Sequence, residues 1–147
     1  IRRTAVNDSA ADKMATMDEL TAELACADVV ILACPLTDQT RGLVNADFLA
    51  AMQPEAVLVN VARGAVVNDQ ALITALDQGV IGAAILDVFD PEPLPESSPL
   101  WVHERITVTS HLAGGGAGFL ARNDQLFIEQ LDNYLAGRPL RLEVRAG

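Results

Sequence analysis

Three polar side chains in this sequence fall just past stretches that read as buried strands. Arg63 follows Ala56-Val57-Leu58-Val59-Asn60-Val61, Glu92 comes shortly after Ala84-Ile85-Leu86-Asp87-Val88, and His111 follows Ile106-Thr107-Val108-Thr109. In an open parallel sheet, residues beyond the carboxyl ends of the strands converge on one crevice even when far apart in the chain. A guanidinium, a carboxylate and an imidazole meeting there are the parts of a proton-transfer site with an anion clamp.

Each residue also has a plainer reading. Arg63-Gly64 reads equally as a solvated turn, and Glu92, between Pro91 and Pro93, as an exposed loop acid. His111 stands out because it lies between a buried strand and the Gly114-Gly115-Gly116 turn, whereas His103 sits beside Glu104 and Arg105 in a polar stretch. Cys34 ends an apolar run and is most simply a small packing residue. Asp87, at the end of an apolar strand, requires a polar partner.

The elements that position these residues follow from hydrophobic pattern and punctuation. Thr16-Met17-Asp18-Glu19 has the form of a capping box and opens a short helix to about Ala25. Residues 28–34 form a strand ended by Pro35, Asn45 caps a helix through Met52, and Pro54 precedes a strand at 56–61. Asn68 and Asp69 start a third helix, with Leu72, Ala75 and Leu76 at helical spacing and Gly79 at its end. A strand at about 83–88 comes next. Pro91, Pro93 and Pro95 then force an irregular excursion over 90–98. After a short strand at 106–109, the three glycines turn the chain into a long helix to about Ala136, stopped by Gly137-Arg138-Pro139. Continuously apolar strands alternating with helices point to a parallel sheet covered on both faces.

Composition bounds the function. A chain of 147 residues, half of them hydrophobic, can build one ordinary core. A formal charge of −10 argues against a general nucleic-acid surface. Apolar runs such as Val29-Val30-Ile31-Leu32-Ala33-Cys34 are far short of the roughly 20 residues a membrane span needs. Cys26 and Cys34 make neither a CxxC pair nor a disulfide framework, so no metal site is expected and a reducing cytoplasm is the default.

Four ordered motifs carry a resemblance that covers nearly the whole chain. They are Cys34-Pro35-Leu36-Thr37 with Thr40-Arg41-Gly42-Leu43, Val59-Asn60-Val61-Ala62-Arg63-Gly64, Leu86-Asp87-Val88-Phe89 with Glu92-Pro93, and Thr109-Ser110-His111-Leu112-Ala113-Gly114. Together they resemble the nucleotide-binding domain of the D-isomer-specific 2-hydroxyacid dehydrogenases, of the glyoxylate/hydroxypyruvate reductase kind. The resemblance implies an α/β fold, a Rossmann-type doubly wound parallel sheet, here partial because its first strand and glycine-rich phosphate loop are absent. Residues 1–147 would then be the C-terminal portion of that domain, with a helix and tail from about 115 packing back towards an absent substrate domain. Such a segment is expected to be inactive alone and, within the full-length protein, to belong to a homodimer.

The implied activity is hydride transfer between NAD(P)H and the C2 carbonyl of a 2-oxo acid, with glyoxylate and hydroxypyruvate as trial substrates. Arg63, Glu92 and His111 would be catalytic. His111 would supply the proton, Glu92 would hold the imidazole and stabilise its protonated form, and Arg63 would clamp the substrate carboxylate and carbonyl. Cofactor contacts are implied at Cys34 and Pro35, Thr40, Val61, Ala62 and Arg63, Asp87, and from His111 to Gly114. The resemblance places Arg2, followed by Arg3 and Thr4, where NAD-preferring members usually have an acid, and two guanidinium groups and a hydroxyl there would favour a 2′-phosphate and so NADP over NAD.

Ser110 departs from the proline usual before the histidine. Glu92 disfavours formate dehydrogenases, which usually have glutamine there. A phosphite dehydrogenase-like enzyme and a non-enzymatic, dinucleotide-sensing corepressor-like protein remain as alternatives.

Overall fold

The computed structural model describes Ile1 and residues 10–141. Two compact units are present, Ile1–His111 and Leu112–Gly147.

The first unit is built on a four-stranded sheet of β1 (Val29–Leu32), β2 (Val57–Asn60), β3 (Ala83–Leu86) and β4 (Ile106–Val108), in the order β1-β2-β3-β4 and parallel throughout. The helices are α1 (Leu20–Leu24), α2 (Ala46–Ala50) and α3 (Asp69–Asp77). A 3-10 turn at Met17–Glu19 leads into α1, and the Thr16 N–H donates to Glu19 Oε2 at 3.0 Å, as the capping box requires. Asn45 and Asn68 cap α2 and α3, their Oδ1 atoms accepting from Phe48 N and Ala71 N at 3.0 Å each. Gly79, at φ +69°, ends α3 in a Schellman motif, with Val80 N bonded to Ala75 O and Gly79 N to Leu76 O.

Strands added one after another in one direction through right-handed crossovers put their helices on the same side of the sheet. Alternate strand residues, Leu32, Leu58, Ala84 and Leu86, are accordingly buried in one cluster with Phe48 and Leu49 of α2 and Leu72 and Leu76 of α3. On the opposite face Val29, Ile31 and Ile85 are exposed. Among the described residues of the first unit the helices therefore cover one face of the sheet, where cover on both faces was expected.

The strands are shorter than their apolar runs. Ala33 and Cys34 leave the ladder to line a crevice, and the chain turns at Asn60 rather than at Val61. The loops that follow β1 and β2 are tied to each other by Gly42 N to Ala65 O at 2.8 Å and by a parallel bridge between Val44 and Val67.

In the second unit α4 spans Phe119–Leu135, starting after Gly118 at φ +77°. It ends in another Schellman motif at Gly137 (Arg138 N to Asn133 O, Gly137 N to Tyr134 O). The tail folds back on the helix, with Arg141 N donating to Gln130 Oε1 at 2.7 Å and the Arg141 guanidinium pairing with Glu129. Phe127, Ile128, Leu131 and Leu135 are exposed along it. Among the described residues no helix is long and apolar enough to cross a membrane.

Candidate active site

The sheet register sets the site. Asn60, Leu86 and Val108 stand in one row across β2, β3 and β4. Three positions further along each strand lie Arg63, Phe89 and His111, so the three chains leave the sheet at the same level. The sequence-predicted pair meets there: His111 Nδ1 and Glu92 Oε2 are 2.9 Å apart.

Each side chain is held by its local backbone. Glu92 places its other oxygen, Oε1, on the Phe89 N–H at 2.8 Å, so one carboxylate bridges its own loop and the imidazole. His111 is the one non-glycine residue with positive φ (+55°) among the described residues, and its N–H donates to the Asp87 carbonyl at 2.9 Å. That left-handed step, a conformation histidine adopts more readily than most residues, turns the chain out of line with β4. Arg63 is exposed in an extended conformation (φ −147°, ψ 147°) at the entry to a 3-10 turn, Gly64–Val66, and one guanidinium nitrogen donates to the Ala62 carbonyl at 2.6 Å.

Glu92 is held below the ordinary carboxylate range, first by the Phe89 N–H and then by the bond to His111, with the positive charge of Arg63 adding to the effect. The guanidinium thus lies within electrostatic reach of the pair. Asp69, at the start of α3, is shifted the other way by burial and by the nearby Asp90.

Beside the trio an open crevice of ≈ 440 Å³ runs along the carboxyl ends of β1 and β2, lined by Ala33, Cys34, Pro35, Leu36, Val61, Ala62 and Arg63. Its walls are small or flat side chains that leave backbone accessible, with a guanidinium at one end. That chemistry suits an extended ligand with planar rings and acidic groups, and it fits a nicotinamide dinucleotide. Five of the residues expected to touch cofactor, Cys34, Pro35, Val61, Ala62 and Arg63, line this one space.

Thr40 serves the crevice from behind: its hydroxyl donates to the Pro35 carbonyl and accepts from the Thr37 N–H, both at 2.8 Å, fixing the loop after β1. Asp87 is buried and accepts a hydrogen bond from the Thr109 hydroxyl, a polar partner of the kind its position demanded. Gly114 belongs to the second unit. Arg2 and Arg3 lie outside the described residues.

Sequence reasoning passed over Asn60 and Gly64. Asn60 is 1% exposed, and both ends of its amide bond the following turn, Oδ1 accepting from Ala62 N at 3.0 Å and Nδ2 donating to Arg63 O at 3.1 Å. A side-chain carbon on Gly64 would stand 1.9 Å from the Phe89 carbonyl carbon, so only glycine permits this approach. The signal for Asn60 was present, as an amide in an otherwise apolar run. Nothing in the sequence pairs Gly64 with Phe89.

Residues 1–113 match the family model described as D-isomer specific 2-hydroxyacid dehydrogenase, NAD binding domain. An uncharacterised protein of Corynebacterium melassecola is 41% identical over 149 residues, which cover 98% of this chain and 49% of that protein. Glyoxylate/hydroxypyruvate reductase A of Photorhabdus laumondii is 45% identical over 96 residues, 65% of this chain and 31% of the reductase. The chain therefore spans half or less of the length of these relatives. Among solved structures, the D-isomer specific 2-hydroxyacid dehydrogenase of Xanthobacter autotrophicus Py2 in complex with NADPH and MES superposes with a TM-score of 0.86 at 38% identity, over 98% of this chain and 59% of that one. The NADPH-dependent glyoxylate/hydroxypyruvate reductase of Sinorhizobium meliloti, in complex with NADP and sulfate, gives 0.80 at 30% identity, over 88% and 42%. With its strand ends, its acid–imidazole pair and this match over most of its length, the chain belongs to the D-isomer specific 2-hydroxyacid dehydrogenases.

Proposed function

We propose that the chain is the nucleotide-binding part of a longer dehydrogenase that reduces the C2 carbonyl of a small 2-oxo acid with NAD(P)H. The observation that carries this reading is the 2.9 Å contact between Glu92 and His111, within the influence of Arg63 and beside a crevice at the strand ends. A bound reduced nicotinamide supplies the hydride. The chain's own residues do the rest. Arg63 clamps the substrate carboxylate with a planar pair of donors, which orients the neighbouring carbonyl. His111, with Nδ1 occupied by Glu92, delivers the proton from Nε2 to the carbonyl oxygen as negative charge develops there. Glu92, ionised throughout the neutral range, fixes the ring and stabilises the imidazolium before transfer.

NADPH is the proposed coenzyme, supported by Arg2 and Arg3 in the sequence and by the NADPH and NADP bound in the two similar structures. Glyoxylate and hydroxypyruvate are the proposed substrates, supported by the names of the reductases this chain is similar to. The reading extends to a cytoplasmic homodimer and to an α4 whose exposed apolar residues pack towards a substrate domain. Steady-state oxidation of NADPH and NADH by the full-length protein, with glyoxylate, hydroxypyruvate, pyruvate and phenylpyruvate, tests it. Turnover favouring NADPH is the expected result. An NADH preference removes the coenzyme assignment alone, and NADPH binding without turnover of any acid favours a dinucleotide sensor.

A further inference from the structure

We propose that Asn60 is a positioning residue for Arg63, setting the turn that carries the guanidinium in register with the Glu92–His111 pair. The inference rests on the reading of Arg63 as the carboxylate clamp.

Asn60 closes β2 on the buried face of the sheet, in the row occupied by Leu32 and Leu86. An amide at such a place is costly unless its polar atoms are bonded. Its two bonds go to neither a neighbouring strand nor a helix but to the turn that follows it: Oδ1 takes the Ala62 N–H and Nδ2 gives to the Arg63 carbonyl. Its backbone carbonyl meanwhile accepts the Asp87 N–H at 3.0 Å, anchoring the same residue to the chain leaving β3.

The clip has consequences on both sides of Arg63. It holds the Val61–Ala62 peptide through its N–H and the Arg63–Gly64 peptide through its carbonyl, so the turn is pinned on either side of the Ala62-Arg63 pair and with it the direction in which the guanidinium leaves the backbone. It also delivers Gly64 onto the Phe89–Asp90 peptide, where a side-chain carbon would be 1.9 Å from the Phe89 carbonyl carbon. Phe89 in turn holds Glu92 through its N–H at 2.8 Å, and Glu92 holds His111 at 2.9 Å. The turn that carries Arg63 therefore packs directly against the loop that holds the acid–imidazole pair. Asparagine suits the task because it carries one acceptor and one donor on a short stem. Aspartate keeps the acceptor and loses the donor, and alanine loses both.

The test uses Asn60→Asp and Asn60→Ala in the full-length protein, alone and on an Arg63→Ala background. Glyoxylate and hydroxypyruvate are varied at saturating NADPH, and far-UV circular dichroism with thermal unfolding serves as the control for folding. Because the guanidinium both holds the carboxylate and orients the neighbouring carbonyl, the expected change is a fall in kcat/KM for the 2-oxo acid of roughly tenfold or more, with KM raised. On the Arg63→Ala background the same substitutions are expected to change KM by less than about twofold, since their effect passes through Arg63. An unchanged KM in a folded variant overturns the inference, as does an equal effect on both backgrounds. Loss of the folded state in both variants makes Asn60 a residue of the fold and also overturns it. An inert wild type overturns the functional reading and this inference together. An active wild type with unchanged variants overturns the inference alone.

Discussion

Glu92 spends one oxygen on a backbone N–H and the other on an imidazole, and this division decides what its removal should do. Its carboxyl is held below the ordinary value, so the stabilisation of the charged form is fully present above the unfolded value of about 4.5 and is lost as pH falls through the lowered one. The pair is therefore intact across the neutral range. Glu92→Gln leaves a hydrogen-bond acceptor beside the ring but removes the carboxylate charge paired with it, and kcat/KM for the 2-oxo acid is expected to fall by about 10²-fold in steady-state assays. At Arg63, replacement by lysine keeps the charge and loses the planar fork. KM for the 2-oxo acid is expected to rise by about one order of magnitude. The placement of the trio was legible in the sequence because each member comes within four residues of an apolar run that reads as a buried strand. Asn60 and Gly64 were not, since the partners of Asn60 are the peptide groups of its own turn and Gly64 meets a residue 25 positions away.

The elements around the site are short, and their ends carry the precision. Asn68→Ala removes the acceptor for Ala71 N and is expected to cost about 1 kcal/mol in denaturant unfolding. Gly64→Ala places a carbon where the Phe89 peptide already lies. It is expected to destabilise by about 1–3 kcal/mol and to lower activity by more than that loss of folded protein explains, because Phe89 holds Glu92. Leu58, fully buried in the central strand β2, should cost about 2–5 kcal/mol when cut to alanine, with the KM values of the remaining folded enzyme unchanged. Periodicity and caps located every one of these helices and strands. Their ends were less legible. The apolar run over 28–34 continues past the hydrogen-bonded ladder because Ala33 and Cys34 are apolar for the crevice rather than for the sheet. The long helix begins at Phe119, since the glycines before it leave several residues free to turn.

At the scale of the molecule, the helices of the first unit gather on one face of the sheet and leave Val29, Ile31 and Ile85 in the open, and α4 exposes Phe127, Ile128, Leu131 and Leu135. Surfaces of this kind are normally covered. Residues 1–147 made alone are therefore expected to bind a hydrophobic dye and to self-associate, whereas Ile31→Glu, which leaves the buried face untouched, should reduce both; light scattering reads the difference. The sequence did not reveal the bare face, because a strand apolar on both sides looks the same whether or not its second cover is present. The most direct test of the proposed chemistry is single-turnover reduction of glyoxylate by the full-length protein, wild type against His111→Ala, with NADPH binding measured in both. Loss of a positioned proton donor is expected to slow NADPH oxidation by about 10²–10⁴-fold while NADPH binding is retained. An alanine variant that reduces glyoxylate at the wild-type rate would contradict the assignment of His111 and, with it, the site built around Arg63 and Glu92.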